Sequence, residues 1–221
     1  MTYWYWNHER SWRLGRHAQA PKGPMRGVLI AFEGLDQSGK QTQAELLRER
    51  LIAGGRVVRP LAFPDYETVI GGEIGRALRG ERHYGPDVMQ LLYVANRYEW
   101  KQEIVNATAK GTVVVCDRYL ASSVAYGEAQ GLDPSWLLSM QQYLPQPDLT
   151  ILLDIPPEAS ARRKRTDRDR YEQDLALLGR VRNSYLRQAA QGWIRVDADR
   201  DRDAVTADVW TAVRARLSLE P

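Results

Sequence analysis

A chain of 221 residues, 43% of them hydrophobic, is long enough for one α/β domain with a sizeable core. It holds one cysteine, Cys116, which excludes an intrachain disulfide, and it lacks the run of about 20 apolar residues that a membrane span needs. The formal charge of +3 is unevenly placed: residues 161–170 carry six basic and two acidic side chains, residues 1–24 carry four and one, and the remainder is acidic. That distribution excludes a basic nucleic-acid-binding domain and suits a small phosphate-rich ligand met by one cationic segment. A solvated charged helix face is the plain alternative for that segment. Cys116 sits in an apolar run, reads as an inert buried thiol, and fits a reducing, cytoplasmic setting.

Residues 1–24 hold three of the seven tryptophans without a strand or helix period, and they have no continuous apolar stretch of the secretory kind. They read as a disordered or non-native extension, with Met25 as a candidate start and residues 25–221 as the domain. GVLIAFEG then predicts a buried strand running into a glycine loop, and QTQAELLRERLIAGG a helix. RVVRPLAF is a second strand and ETVIGGEIGRALRG a short helix. The segment from Pro86 to Gly111 is a long helix, and TVVVCD a β-branched strand. GLDPSWLLSMQQYL starts a helix with Asp133 as N-cap before Pro134. LTILLDI is a strand, PPEASARRK opens a helix, YEQDLALLGRVRNSYLRQAA is helical, WIRVDA is a last strand and DRDAVTADVWTAVRARL a last helix. Strands alternating with helices predict a doubly wound parallel sheet of about five strands, helices on both faces, with ligands at the carboxyl ends of the strands.

The loop after the first strand, Gly34-Leu35-Asp36-Gln37-Ser38-Gly39-Lys40, meets the phosphate-binding pattern GxxxxGK and lies between a strand and a helix, as that pattern requires. A glycine turn joining strand to helix is the plain alternative. Lys40 would reach the donor's β- and γ-phosphates. The next residue should be a hydroxyl that ligates Mg²⁺, and here it is Gln41, with Thr42 one place late and turned about 100° around the helix. An amide oxygen is a hard ligand, but Gln41 is long and must fold back, so weakened Mg²⁺ affinity with retained catalysis is expected. Asp117 ends an apolar strand and could hold magnesium-bound water or act as a helix N-cap. Arg118 beside it can fork onto a phosphate.

Residues 26–217 resemble the thymidylate kinase family, a group of P-loop nucleoside monophosphate kinases. The resemblance rests on FEGLDQSGKQTQ, FPDYET, LLYVANRYEW, VVVCDRYLASSVAYG, LPQPDLTILLDI and RYEQD, in that order. It implies transfer of a phosphoryl group from ATP to dTMP with Mg²⁺, a homodimer, and no covalent intermediate. A kinase of another nucleoside monophosphate and a degenerate nucleotide-binding regulator are the alternatives. By resemblance, Arg118 holds the acceptor phosphate, Tyr93 stacks on thymine, Arg97 donates to a thymine carbonyl and Ser122 is a polar contact to the base. Tyr126 packs on the sugar, and Asp36 lies near the acceptor's sugar hydroxyl and phosphate. Glu33 reads either as polar support or as a packing or capping residue.

Some family members carry a catalytic arginine in the phosphate loop, where this chain has Gln37; others supply it from a lid. Here the lid would be Ala161–Asp169, with Arg165 as the leading catalytic candidate, Arg163 and Arg168 beside it, and Tyr171 and Glu172 following near the acceptor. A lid arginine can raise the rate by about 10³–10⁵ in related phosphoryl-transfer enzymes. Besides Gln41, the chain departs from many relatives at Tyr66 of FPDYET, where an arginine is common.

Overall fold

The structure, a computed structural model, describes residues 27–163 and 174–217. Elements follow in the order β1 (Leu29–Glu33), α1 (Lys40–Ala53), β2 (Val58–Ala62), α2 (Val69–Leu78), α3 (Pro86–Ala109), β3 (Val113–Asp117), α4 (Leu120–Ala129), α5 (Pro134–Met140), β4 (Leu149–Asp154), α6 (Pro157–Arg163), α7 (Leu175–Ala189), β5 (Ile194–Asp197) and α8 (Arg202–Leu217). The five strands form one sheet in the order β2-β3-β1-β4-β5, and every pairing is parallel.

The sequence of the strands explains their places. LIAFE, VVVCD and LTILLD are nearly continuous apolar runs, and they occupy the three central positions, buried on both faces. VRPLA carries Pro60, which lacks an N–H for a ladder, and it lies at an edge where one side needs none. On one face Ile30, Phe32, Val113, Val115, Ile151 and Leu153 pack with residues of α1, α4, α7 and α8. On the other, Leu29, Ala31, Val114 and Cys116 pack with Ile104 of α3, Phe63 and Tyr119. Asp154 at the end of β4 accepts from Arg182 at 2.7 Å and Arg195 at 2.6 Å, which ties α7 and β5 to the sheet.

The expected elements are present with two differences. LASSVAYGEA, read only as a motif, is helix α4; it is buried almost all round, so it lacks the polar face that marks a surface helix. The helix expected through Leu144 ends at Met140, where Gln141 and Gln142 bond back three residues in tighter turns. Asp133 caps α5 as expected, accepting from Ser135 N at 2.8 Å. The extension 1–24 lies outside the described residues, as do residues 164–169 of the expected lid and the segment 170–173 that follows it.

In the register, Phe32 of β1 faces Asp117 of β3, and Ala62 of β2 also faces Asp117. The carboxyl ends of the three strands therefore share one edge. β1 is flanked there by strands reached in opposite directions along the sheet, so this edge is the switch point where α/β sheets place ligands.

Candidate active site

The loop from Gly34 to Gly39 is bent by its glycines. Gly34 has φ +141°, and a Cβ there would stand 2.4 Å from the Leu153 carbonyl oxygen; Gly39 has φ +91° and precedes the first turn of α1. Gln37 also has a positive φ, of 60°. No side chain among the described residues caps α1 at Gly39, which leaves its first N–H groups available to a phosphate. Lys40 is buried, and its Nζ donates to the Leu35 carbonyl at 2.7 Å. Burial, then the Arg118 charge, lowers its pKa to about 8, although Asp36, Asp117 and Glu33 oppose that shift. An ammonium held at such cost gains most from an anion that restores its environment. The Leu35 side chain belongs to the core, so only its backbone serves the loop.

A cavity of about 890 Å³ runs along this loop, lined by Asp36, Gln37, Gly39, Lys40, Gln41 and Thr42, and on its far wall by Asp117 and Arg118. Asp117 Oδ1 is buried in this wall without a hydrogen-bond partner among the described residues. An orphaned carboxylate oxygen is a hard donor, so the wall fits a magnesium ion or its water shell. Gln41 is exposed on the same cavity, and the described residues hold no cluster of three or more acidic, histidine or cysteine ligands. Phosphate oxygens and water must therefore complete any metal shell here.

A second cavity, of about 100 Å³, opens between α3 and α4, lined by Tyr93, Arg97, Ser122, Ser123, Tyr126 and others. The two cavities share Asp36, Phe63, Pro64, Tyr66 and Arg118 as common wall. Arg118 is the hub of that wall. It has φ +63°, a strained conformation for a side-chain-bearing residue, which turns its side chain across the strand ends. Nη2 donates to Asp36 Oδ1 at 2.5 Å; Nη1 reaches the Gly34 carbonyl at 3.1 Å and the hydroxyls of Ser122 and Tyr185 at 3.2 Å each. Tyr126 donates to Asp36 Oδ2 at 2.9 Å, and its ring lies 5.3 Å from the guanidinium carbon. Burial works to raise the Asp36 carboxyl, but Arg118 and Lys40 outweigh it and hold it well below the usual carboxylate range. Asp36 therefore stays ionised and fixes Arg118 instead of taking up protons.

Glu33 resolves to the capping alternative. Wholly buried at the end of β1, its Oε1 accepts from Tyr119 N at 2.8 Å and Ser122 N at 3.3 Å, the open N-terminus of α4. Its Oε2 accepts from Ser122 Oγ at 2.6 Å and Tyr185 OH at 3.2 Å. Ser122 lines the second cavity, and its hydroxyl bonds Glu33 and Tyr185, behind Arg118. Ser123 is the serine beside Arg97, with Oγ 2.8 Å from Nη1. Tyr93 and Arg97, four residues apart on α3, both line the second cavity. Arg97 is only 2% exposed, bonds the Tyr93 carbonyl at 3.1 Å, and leaves Nε without a partner among the described residues.

Tyr66 is half exposed at the junction of both cavities. Its loop is pinned to α3 by Asn96, which accepts from Asp65 N at 2.8 Å and donates to Asp65 O and Thr68 Oγ1. At the base of the expected lid, Arg163 donates to the carbonyls of Gln37 at 3.0 Å and Ala198 at 2.8 Å, and it is not among the residues lining the first cavity. Arg165, Arg168, Tyr171 and Glu172 lie outside the described residues. Asn96, Ser123, Tyr185 and Gln90 were missed in the sequence. The first two adjoin motif residues, and a polar residue on a buried helix face was the available signal.

A phosphate loop on a five-stranded parallel sheet, beside a second pocket that shares its arginine, defines a P-loop nucleoside monophosphate kinase. The sequence model of thymidylate kinase matches residues 32–209. The thymidylate kinase of Plasmodium falciparum is 36% identical over 198 residues, covering 89% of this chain and 93% of that protein. That of Caenorhabditis elegans is 38% identical over 199 residues, covering 84% and 89%. A solved structure of the Candida albicans thymidylate kinase superposes with a TM-score of 0.76 at 30% identity, over 88% of this chain and 94% of that one. The chain belongs to the thymidylate kinase family.

Proposed function

We infer that the two cavities hold the two substrates of the thymidylate kinase reaction, in which ATP phosphorylates dTMP to give ADP and dTDP. The observation that carries this reading is the shared wall: Asp36 and Arg118 border both cavities, so groups bound on either side meet at one guanidinium. In the donor cavity, Gly34–Thr42 wraps the phosphates with backbone N–H groups and Lys40 neutralises the β- and γ-phosphates. Asp117 would hold Mg²⁺ through water, with Gln41 at its shell, and the ion would draw off charge from the phosphate oxygens.

In the acceptor cavity, Arg118 grips the monophosphate, Tyr93 and Arg97 meet the base, and Tyr126 and Asp36 flank the sugar. The attacking phosphate oxygen is already ionised at neutral pH, since a phosphate monoester has its second pKa near 6. No general base is needed, which suits the permanently ionised Asp36. Catalysis then rests on alignment and on cations placed where charge develops. The lid arginines, with Arg165 foremost and Arg163 beside it, supply the remaining positive charge, and Tyr171 serves the acceptor, as the family resemblance implies.

We further propose that residues 25–221 form the kinase domain and that it works as a cytoplasmic homodimer. Exposed Val88 and Leu91 on α3 and Leu138 on the adjacent α5 offer an apolar face for a second copy. None of the helices of the described residues is long and apolar enough to cross a membrane.

A coupled ADP-release assay with dTMP, dUMP, dCMP, dAMP and dGMP tests the assignment. The rate should rise most with dTMP. A purine monophosphate turned over faster than dTMP would refute the acceptor-pocket reading.

A further inference from the structure

The acceptor cavity contains one polar side chain for which phosphoryl transfer has no use. Gln90, on the second turn of α3, is 0% exposed and lines the cavity with Tyr93, Arg97 and Ser123. Neither its Oε1 nor its Nε2 has a hydrogen-bond partner among the described residues. A wholly buried primary amide with both ends unpaired is costly and uncommon, and it calls for a partner.

The surroundings restrict where the amide can point. On the α4 side its stem is packed so closely that a Cβ added to Gly127 would stand 3.3 Å from Gln90 Cγ and 2.7 Å from Leu137 Cδ1. Met89 beside it is sealed in the small core cluster with Ile74 and Ala77. The open space that Gln90 borders is the cavity. Three and seven residues further along the same helix stand Tyr93 and Arg97, and Arg97 Nε, in the buried wall, also has no partner among the described residues.

The floor of this pocket thus offers a flat aromatic side chain, one donor–acceptor pair and one donor-only group. That pattern is complementary to the imide edge of a pyrimidine-2,4-dione, which presents carbonyl, N–H and carbonyl in a row. The amide pairs with the N–H and one carbonyl, and the guanidinium donates to the other.

We propose that Gln90 is a specificity-determining residue that reads the imide N–H of the acceptor base. This rests on the acceptor-pocket assignment above.

The test compares the wild-type enzyme with Gln90→Met and Gln90→Leu, measuring thermal stability and the KM and kcat for dTMP, 3-methyl-dTMP and ATP. Replacing an unpaired buried amide by an apolar group of similar size should leave Tm unchanged or raise it. In both variants the KM for dTMP should rise about tenfold, with the KM for ATP and kcat near wild type, as expected when a ground-state contact is removed. Wild type should discriminate against 3-methyl-dTMP, and both variants should lose most of that discrimination.

An unchanged KM for dTMP with the discrimination intact would overturn the proposal. So would a fall in Tm, which would mean that the amide already has a partner in the free protein. Should wild type itself prefer another acceptor over dTMP, the pocket assignment fails before Gln90 is tested, so the two failures are separable.

Discussion

Replacing Glu33 by glutamine tests whether one buried carboxylate sets both the fold of the site and the pose of Arg118. The carboxylate accepts two backbone N–H groups of α4 and two hydroxyls, from Ser122 and Tyr185, and both hydroxyls in turn receive Arg118 Nη1. A glutamine fits the same space, but its carbonyl can serve only one of these pairs. If it keeps the backbone pair, its NH₂ faces two hydroxyl groups that then lose their charged acceptor.

A hydrogen bond to a charged group contributes about 1.5–3 kcal/mol, so two lost and partly replaced predict a destabilisation of about 2–4 kcal/mol. At about 2–4 °C per kcal/mol for a chain of this size, Tm should fall by roughly 4–16 °C. Arg118 loses its back support, so kcat/KM for dTMP should fall about tenfold or more, the equivalent of about 1.4 kcal/mol. The KM for ATP should change less than the KM for dTMP, because Glu33 does not line the donor cavity and acts on Lys40 only through its charge. Thermal denaturation and steady-state kinetics on the same preparation supply both numbers. A variant with wild-type Tm and a wild-type response to dTMP would refute the argument that Glu33 organises the hub.

Gln41→Thr should lower the Mg²⁺ concentration giving half-maximal rate in a magnesium titration; an unchanged value would separate residue 41 from the metal shell. Arg165→Ala should reduce kcat by about 100-fold or more with little change in either KM, the scale of a lost transition-state donor. Asp154→Asn should cost about 1–2 kcal/mol at pH 7, less than a fully buried pair, because Arg182 and Arg195 are partly exposed. Burial favours the neutral form of Asp154, yet its two arginines hold the carboxyl below its ordinary pKa. Its contribution is therefore present above about pH 4 and is lost as pH falls through the lower folded-state value, so the Tm gap between wild type and variant should close in acid.

The sheet and the phosphate loop were legible because their signals are local. An apolar run ending in GLDQSGK can be read from neighbouring residues, and β3 and β4 are nearly continuous apolar runs, each ending in an aspartate. The spacing of four puts Tyr93 and Arg97 on one helix face, but alone it fits a core aromatic beside a surface arginine equally well; their place in a pocket was legible only through the family resemblance. What escaped was set by contacts across the fold. Tyr185 reaches Ser122 from α7, 63 residues away in the chain, and Glu33 caps a helix 86 residues downstream. Ser122 and Ser123 are adjacent and chemically alike; only the direction of each on α4 assigns one to Glu33 and the other to Arg97. Helix α4 itself was hidden because a buried helix has no polar stripe to reveal its period.

The central claim is that a phosphoryl group passes directly between two cavities that meet at Asp36 and Arg118. The stereochemistry of transfer tests it most directly, using ATP made chiral at its γ-phosphorus with oxygen isotopes and dTMP as acceptor. One in-line displacement inverts the configuration, so the account predicts dTDP with inversion at phosphorus. Retention would require two displacements through an intermediate on the protein, and would contradict it.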